Sequence, residues 1–237
     1  MKCTSASFII AAIIILSSCS TTRETSKFQL SDGYYKSGVF DSGNAIVYID
    51  NEEDTISIYL VNGVSKNVDT ALNAKKVFPQ SISSISLQSN TFRQSSFDID
   101  FLTIPFKYRP AQKDFPRQFN TNLNGAVYLG YRNDIYQLRY KKTPLQKFQR
   151  QTQHYGFSFG LFTGLGGTTM NPSVTNNQIT TEYDGLVWSK GLAGIIGINN
   201  FTIGLALGYD NLLDANKKKW IYQGKPWIGL AFGLNLN

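Results

Sequence analysis

The chain has 237 residues, of which 42% are hydrophobic, 14% aromatic and 16% charged, against ~25% charged residues in a typical globular domain. This composition excludes a disordered, charge-rich chain and a coiled coil. The formal net charge of +7 indicates an anionic partner, while two cysteines and one histidine argue against a disulfide scaffold, a zinc cluster and most histidine-dependent catalysis.

The first residues have the pattern of a secretory signal. Lys2 precedes an apolar run over residues 8–16, and small residues follow that run. About nine apolar residues are too few for a helix that crosses the hydrocarbon core of a bilayer, which needs ~20. We therefore expect residues 1–18 to be a signal peptide that is removed from the mature chain.

Residues 16–19 (LSSC) resemble the lipobox of bacterial lipoproteins, in which a leucine and two small residues precede a cysteine. The resemblance implies cleavage before Cys19, attachment of acyl chains such as palmitate to Cys19, and, since Ser20 rather than aspartate follows, anchoring at the outer membrane of a Gram-negative cell. Residues 19–26 would then be a polar tether. An exported chain does not meet cytoplasmic nucleic acid, so membrane head groups become the expected anionic partner.

Residues 27–96 are predicted to form a small β-rich segment. Strand-like runs over residues 45–49 and 55–61 are separated by a polar turn, which is the pattern of a β-hairpin. Residues 69–76 are predicted to hold one short helix. Residues 82–92 have a weak pattern and are a candidate for one further strand.

From residue 97 onward, large apolar side chains alternate with small or polar ones. In residues 154–165 and 201–210 the odd positions are mostly large and apolar, and in residues 226–236 the even positions are. The opposite faces carry mainly Gly, Ala, Ser and Asn, which suit the inside of a narrow closed barrel with an apolar outer band. The seven predicted strands cover residues 98–109, 121–132, 134–142, 154–166, 185–198, 200–210 and 226–236.

An even strand number is expected for a bacterial barrel, so an eighth strand would come from residues 82–92, or else strands from residues 44–61 join the barrel. A tight turn is predicted at residues 199–200, with longer loops over residues 167–184 and 211–225. The fold class predicted is thus all-β: a small closed antiparallel up-and-down β-barrel of about eight strands over residues 97–237, preceded by the β-rich segment.

Residues 229–234 (GLAFGL) resemble the terminal-strand signal of Gram-negative outer-membrane β-barrel proteins, which combines a glycine, an aromatic residue and a hydrophobic residue at fixed spacing. The resemblance implies that the barrel-assembly machinery would bind the chain through Gly229, Phe232 and Leu234.

Motifs for catalysis are weak. Residues 156–160 match G-x-S-x-G around Ser158, but they lie inside an alternating strand rather than at the strand-to-helix elbow that this chemistry requires. His154, four residues away along a strand, would be ~13 Å from Ser158, beyond hydrogen-bond reach. Asp98 and Asp100 share a strand face and are interpreted as a strand start or rim. We expect no enzyme activity, no metal site and no cofactor.

Basic residues cluster around three predicted loops or rims. The functional hypothesis is contact with phosphate groups of phospholipid or lipopolysaccharide, or a barrel lumen that attracts anions. Ordinary solvated loops are the alternative. In strand 98–109 the basic residues alternate with the apolar residues at positions 102, 104, 106 and 108. The candidate head-group contacts are Lys107, Arg109, Arg139, Lys141, Lys217, Lys218 and Lys219.

The leading functional hypothesis is an outer-membrane-associated, lipid-anchored lipoprotein with a structural or binding role at the cell envelope. A barrel of about eight strands is filled by side chains, so a general porin is not expected. One alternative is a soluble periplasmic, lipocalin-like carrier of an apolar ligand. The other is an outer-membrane hydrolase that uses Ser158.

Overall fold

The structure is a computed structural model that describes seven ranges of the chain: residues 30–40, 43–62, 67–70, 75–83, 89–112, 115–199 and 201–233. The predicted signal peptide, Cys19, the tether and Leu234 lie outside these residues. Throughout the described part the chain is all-β and antiparallel. No helix in these ranges is long and apolar enough to cross a membrane.

Twelve strands belong to one sheet within the described residues. Two short 3-10 turns, Ser173–Thr175 and Ala215–Lys218, lie in the loops. The strands are β1 (Gly33–Ser37), β2 (Ala45–Asn51), β3 (Thr55–Leu60), β4 (Lys75–Pro79), β5 (Ser81–Ile82), β6 (Asn90–Arg109), β7 (Gln118–Asn120), β8 (Asn124–Lys142), β9 (Phe148–Met170), β10 (Tyr183–Ile198), β11 (Phe201–Leu212) and β12 (Pro226–Gly233).

Six strands form a ring of pairings, which we call the C-terminal ring. β6, β8, β9, β10, β11 and β12 are successive neighbours in the sheet, and β12 pairs back with β6, where Ile228 lies opposite Tyr108. This last pairing covers only residues 102–108 of the 20-residue β6. The ring is therefore partial, and the predicted number of about eight barrel strands is not confirmed.

A second ring, the N-terminal ring, shares β6, β8 and β9 with the first. β1 pairs with β6 through Lys36 and Ser37, and β1 to β4 follow one another as antiparallel neighbours. β5 begins two residues after β4 ends, and it pairs with the start of β9, where Ser81 lies opposite Gln149. The N-terminal strands β1 to β5 thus join the parts of β6 and β9 that extend beyond the C-terminal ring.

The two rings differ in the surface that they expose. The N-terminal ring has an apolar interior, which includes Tyr35, Ile58 and Phe92. Burial raises the pKa of Tyr35, so its hydroxyl stays protonated and donates a hydrogen bond to the Ser31 carbonyl at 2.9 Å. The C-terminal ring instead exposes its large apolar side chains, and Phe97 is 84% exposed.

β8 shows this reversal within one strand. Its odd residues Leu129 and Tyr131 point outward and are exposed, whereas its even residues Tyr136 and Leu138 point inward and are buried. The side-chain alternation is unbroken, but the apolar residues change from odd to even positions near Asn133. For this reason the sequence predicted two strands, 121–132 and 134–142, where the structure has one.

The predicted hairpin is confirmed, because β2 and β3 pair with each other. Of the helix predicted over residues 69–76, residues 71–74 lie outside the described part of the chain, and the described residues are not helical. Val68 forms a bridge with Val61 beyond the end of β3, and Lys75 and Lys76 begin β4. The loops predicted after β9 and β11 are present, and the turn after Ile198 is tight because Ile198 pairs with Phe201. The predicted boundary between residues 96 and 97 falls inside β6.

A register shift reverses the faces of β6 near Pro105. Two steps along β12, from Leu230 to Phe232, correspond to three steps along β6, from Phe106 to Thr103, which is the pattern of a β-bulge. Proline has no N–H to donate to the ladder, so such a position suits it. Ile104 and Lys107 both point inward, although they lie three positions apart along the chain. The apolar residues predicted to share one face over residues 102–108 therefore lie on two faces.

The pairing of β12 with β6 can be tested with an engineered disulfide. Directly opposed residues have Cβ atoms ~4.5–5.5 Å apart, close to the ~3.5–4.5 Å of a disulfide. Tyr108→Cys with Ile228→Cys is expected to cross-link on mild oxidation, as measured by mass spectrometry of the linked peptides. Tyr108→Cys with Leu230→Cys is the control, because these residues are diagonal neighbours ~7–8 Å apart. Equal cross-linking of both pairs would contradict the register.

Candidate functional site

An apolar band encircles the outside of the C-terminal ring. The strand register places one large aliphatic side chain from each of its six strands in a single row, and every member is at least 42% exposed. A typical soluble monomer exposes no contiguous apolar patch larger than a few hundred Å², and larger patches mark interaction surfaces. The row consists of Ile99, Leu129, Leu161, Leu192, Leu207 and Ile228.

Polar groups bound this band on both sides. On the side away from the N-terminal ring, the Trp188 indole Nε1 donates to Thr163 Oγ1 at 2.8 Å, and the Lys190 ammonium lies 4.2 Å from the Trp188 ring centroid. On the other side, Ser95 Oγ donates to Asn133 Oδ1 at 2.5 Å. The band thus has a finite height, with amphipathic side chains at its margin.

The interior of the C-terminal ring is filled with side chains at the level of the band. Trp227 and Phe162 meet inside it with ring centroids 5.8 Å apart. A Cβ atom at Gly208 would lie 2.5 Å from the Trp227 ring and 2.9 Å from that of Phe162, so glycine is needed there to make room for both. At this level, the ring encloses a packed core rather than a wide channel.

A basic cluster lies inside this ring. Lys107 Nζ donates to both carboxylate oxygens of Asp210 at 3.0 Å, and also to Asn124 Oδ1 at 2.8 Å and Ser189 Oγ at 3.0 Å. Arg109 donates to the same Asp210 carboxylate. Two buried cations therefore share one carboxylate.

The placement of Lys107 and Arg109 corrects the head-group hypothesis for these two residues. They are only 2% and 1% exposed, so neither can contact lipid on the outside. The register shift near Pro105 turns them inward, and the guanidinium carbon of Arg109 lies 5.0 Å from the Trp220 ring centroid and 5.1 Å from that of Tyr222.

A second charged cluster lies on the strands that the two rings share. Asp134 Oδ1 accepts a hydrogen bond from Arg132 Nε at 2.8 Å and lies 2.6 Å from His154 Nε2. The His154 ring stacks on Tyr136 with centroids 4.7 Å apart. Asp98 Oδ2 is 3.9 Å from Arg132 Nη1. These groups form a buried polar layer between the two apolar interiors.

Asp98 and Asp100 were interpreted from the sequence as a strand start or rim, and this interpretation is wrong. Both side chains are buried in the middle of β6, inside the ring. Across the ranges that the structure covers, no three His, Cys, Asp or Glu side chains are grouped so that they could hold a metal ion.

Ser158 does not contact His154. The Ser158 hydroxyl pairs with the Tyr128 hydroxyl at 2.7 Å, and the nearest carboxylate partner of His154 is Asp134. Ser158 also lies within the straight run of β9, without the exposed elbow of a serine hydrolase. The geometry required for activation of a serine nucleophile by histidine is absent here.

The other residues predicted from the sequence lie at opposite ends of the molecule. Arg139 and Lys141 are exposed on β8 in the N-terminal ring, and Arg139 Nη2 donates to Gln137 Oε1 at 2.6 Å. Lys217 and Lys218 are exposed, and Lys219 half-buried, in the loop between β11 and β12. Gly229 faces inward on β12, and Phe232 is half-buried there.

Sequence reasoning did not identify Asp134 and Asp210 as partners of the buried cations. A signal existed for Asp210, because it occupies an even position of residues 201–210, on the face that carries glycine and alanine. A carboxylate on an inward face requires a cation opposite it. No protein-family model matches the chain, and neither a curated protein nor a solved structure matches it.

The shared carboxylate predicts unequal effects of removing its partners. Asp210→Asn leaves two buried cations without a counter-charge and is expected to lower the free energy of unfolding by about 3–5 kcal/mol. Lys107→Met retains the Arg109–Asp210 pair, so its loss should be much smaller. The urea-unfolding midpoint of the purified protein measures both. Equal losses would show that Lys107 and Arg109 do not compete for one charge.

Proposed function

We propose that this protein is a lipoprotein of the outer membrane whose C-terminal ring is a small closed β-barrel embedded in the bilayer, with a structural or binding role at the cell envelope. The observation that carries the proposal is the row of exposed aliphatic side chains that crosses all six strands of the ring, from Ile99 to Ile228. Outer-membrane barrels present such an apolar band to lipid.

The height of the band supports the proposal. On β10, ten residues separate the outward side chains of Trp188 and Ile198. At ~3.3 Å per residue this is about 33 Å along the strand, or ~23 Å across the bilayer at a tilt of ~45°. An apolar band ~25 Å tall is typical. Lys190 lies within this span, and its ammonium turns toward Trp188 at the margin, as a long side chain does at an interface.

The connections between strands support one orientation. The turn between β10 and β11 is tight and lies on the side of the N-terminal ring, whereas residues 171–182 and 213–225 form long connections on the opposite side. Outer-membrane barrels have short periplasmic turns and longer external loops. The N-terminal ring is therefore assigned to the periplasmic side.

A lipid anchor at Cys19 would suit this orientation. Leu30, the first described residue, packs in the core of the N-terminal ring. The ten residues between Cys19 and Leu30 span at most ~36 Å when extended. β1 runs antiparallel to β6, with Ser37 opposite Phe92, so the start of β1 lies toward the apolar band. The anchor and the band would then meet the same periplasmic leaflet.

The two alternatives have less support. A soluble carrier of an apolar ligand needs an apolar cavity inside the barrel, whereas Trp227 and Phe162 fill the C-terminal ring and packed side chains fill the N-terminal one. A hydrolase that uses Ser158 needs a base beside it, whereas Ser158 pairs with Tyr128. Neither alternative accounts for the exposed band.

Fractionation of the Cys19→Ala protein tests the embedding. Without acyl chains, the band alone would hold the protein, so we expect it to remain in the membrane fraction after carbonate extraction. It should also show heat-modifiable mobility on a gel. A freely soluble Cys19→Ala protein would overturn the embedded barrel, and the wild-type chain in the same fractions is the control.

A lysine placed in the band should be costly only if the band meets lipid. Leu207→Lys is expected to lower the free energy of unfolding in vesicles by about 2–4 kcal/mol, as at the midplane of a bilayer. Ile46→Lys is the matched control, because Ile46 is 38% exposed on the N-terminal ring and a surface change there should cost within ~0.5 kcal/mol. Similar urea midpoints for the two variants would contradict the proposal.

A further inference from the structure

A groove interrupts the apolar band at Gly194. The row next to the aliphatic one has a large side chain on five strands and only a glycine on β10, between Phe159 and Leu205. The resulting groove has a volume of about 730 Å³. A Cβ atom at Gly194 would meet only the Phe159 ring, at 3.9 Å, so no neighbouring side chain fills the gap. The groove thus follows from the absence of a side chain at Gly194.

The groove continues toward the N-terminal ring. A second depression, of about 590 Å³, shares Tyr131 and Asn133 with the first and extends to Lys36 and Arg93. The end of this depression at Lys36 and Arg93 lies beyond the margin of the band at Ser95 and Asn133, on the side of the N-terminal ring. An apolar groove in the band therefore adjoins a polar, cationic depression.

Charge is unbalanced at the cationic end. Lys36 and Arg93 lie directly opposite each other on β1 and β6. Both are exposed, and among the described residues neither forms an ion pair or a side-chain hydrogen bond. No aspartate or glutamate lines either depression. Two adjacent cations without a carboxylate favour a phosphate group, which accepts several charge-assisted hydrogen bonds.

We propose that the two adjoining depressions bind one anionic phospholipid of the periplasmic leaflet, with an acyl chain along the Gly194 groove and its phosphate at Lys36 and Arg93. The inference rests on the proposed embedding. The register places Arg93 level with Ile198, three strand spacings (~14 Å) across the sheet and four residues (~13 Å) along β10 from Gly194. The resulting separation of ~19 Å is one that the head group and chain of one phospholipid cover.

The chemistry of the site selects this ligand. Free phosphate would leave the apolar groove empty. Lipopolysaccharide belongs to the leaflet on the side of the long loops, whereas Lys36 and Arg93 lie on the side of the N-terminal ring. A zwitterionic head group brings an ammonium that finds no carboxylate among the lining residues. Basic pockets next to membrane-spanning segments favour anionic lipid for the same reason.

Lipid retention by the full-length protein tests the site. The protein is reconstituted in vesicles with equal amounts of phosphatidylethanolamine and phosphatidylglycerol, re-extracted in mild detergent, and analysed by mass spectrometry for lipid retained per protein. We expect about one molecule per chain, enriched in phosphatidylglycerol, because the proposed site takes one phosphate group.

Substitutions separate the two ends of the site. Gly194→Leu fills the groove and should lower retention about tenfold, the change expected when about two methylene groups are displaced. Gly125→Leu is the matched control, since it is an outward glycine with nothing within 4 Å of its Cβ position and lies outside the groove. Lys36→Gln with Arg93→Gln should reduce the preference for phosphatidylglycerol, by about fivefold for each cation.

Equal retention by the Gly194→Leu and Gly125→Leu proteins would overturn the inference. So would retained lipid that has the same composition as the vesicles, or preferential retention of lipopolysaccharide from vesicles that contain it. Displacement of the lipid by millimolar inorganic phosphate would likewise overturn the acyl-chain part. Flotation of the Cys19→Ala protein, which lacks acyl chains, distinguishes the two proposals. If embedding fails, this protein does not float with the vesicles. If only the lipid site fails, it floats and retains lipid without selection.

Discussion

Side-chain alternation along three shared strands is the constraint on which the rest of the structure depends. Successive side chains of a strand point to opposite faces, so β6, β8 and β9 present an inner and an outer surface over their full length. In the N-terminal ring the inner surface is apolar, and in the C-terminal ring the outer surface is. The pleat cannot skip a residue without a bulge. The apolar face therefore changes near Asn133 because the apolar residues move from odd to even positions in the sequence, while the backbone alternation continues.

The polar layer on the shared strands follows from this reversal. Where the apolar residues change faces, neither surface is wholly apolar, and buried charges occupy the inner one. Arg132 and His154 both contact the Asp134 carboxylate there, as Lys107 contacts Asp210 further along the ring. A buried ion pair contributes little net stability, but loss of one partner is costly. These pairs therefore favour one strand register over its neighbours, in which the charges would be unpaired.

Local patterns in the sequence were sufficient for some elements and insufficient for others. The hairpin of β2 and β3 and the outward faces of β9, β11 and β12 follow from alternation and turn residues within a few positions. The N-terminal ring does not, because the pairing of Lys36 with Arg93 joins distant segments, and nothing local encodes it. Pro105 marks a bulge only once the partner strand is known, so the inward turn of Lys107 could not be predicted.

The position of β6 determines how the molecule can assemble. β6 has β1, β7, β8 and β12 as neighbours, and five strands lie between β6 and β12 along the chain. Its edge over Leu102–Tyr108 therefore stays unpaired until β12 arrives, and an unpaired edge is a template for association with other chains. Contacts between such distant segments are slow to form. Both rings use this strand, so the pairings of each ring depend on the position of one shared strand.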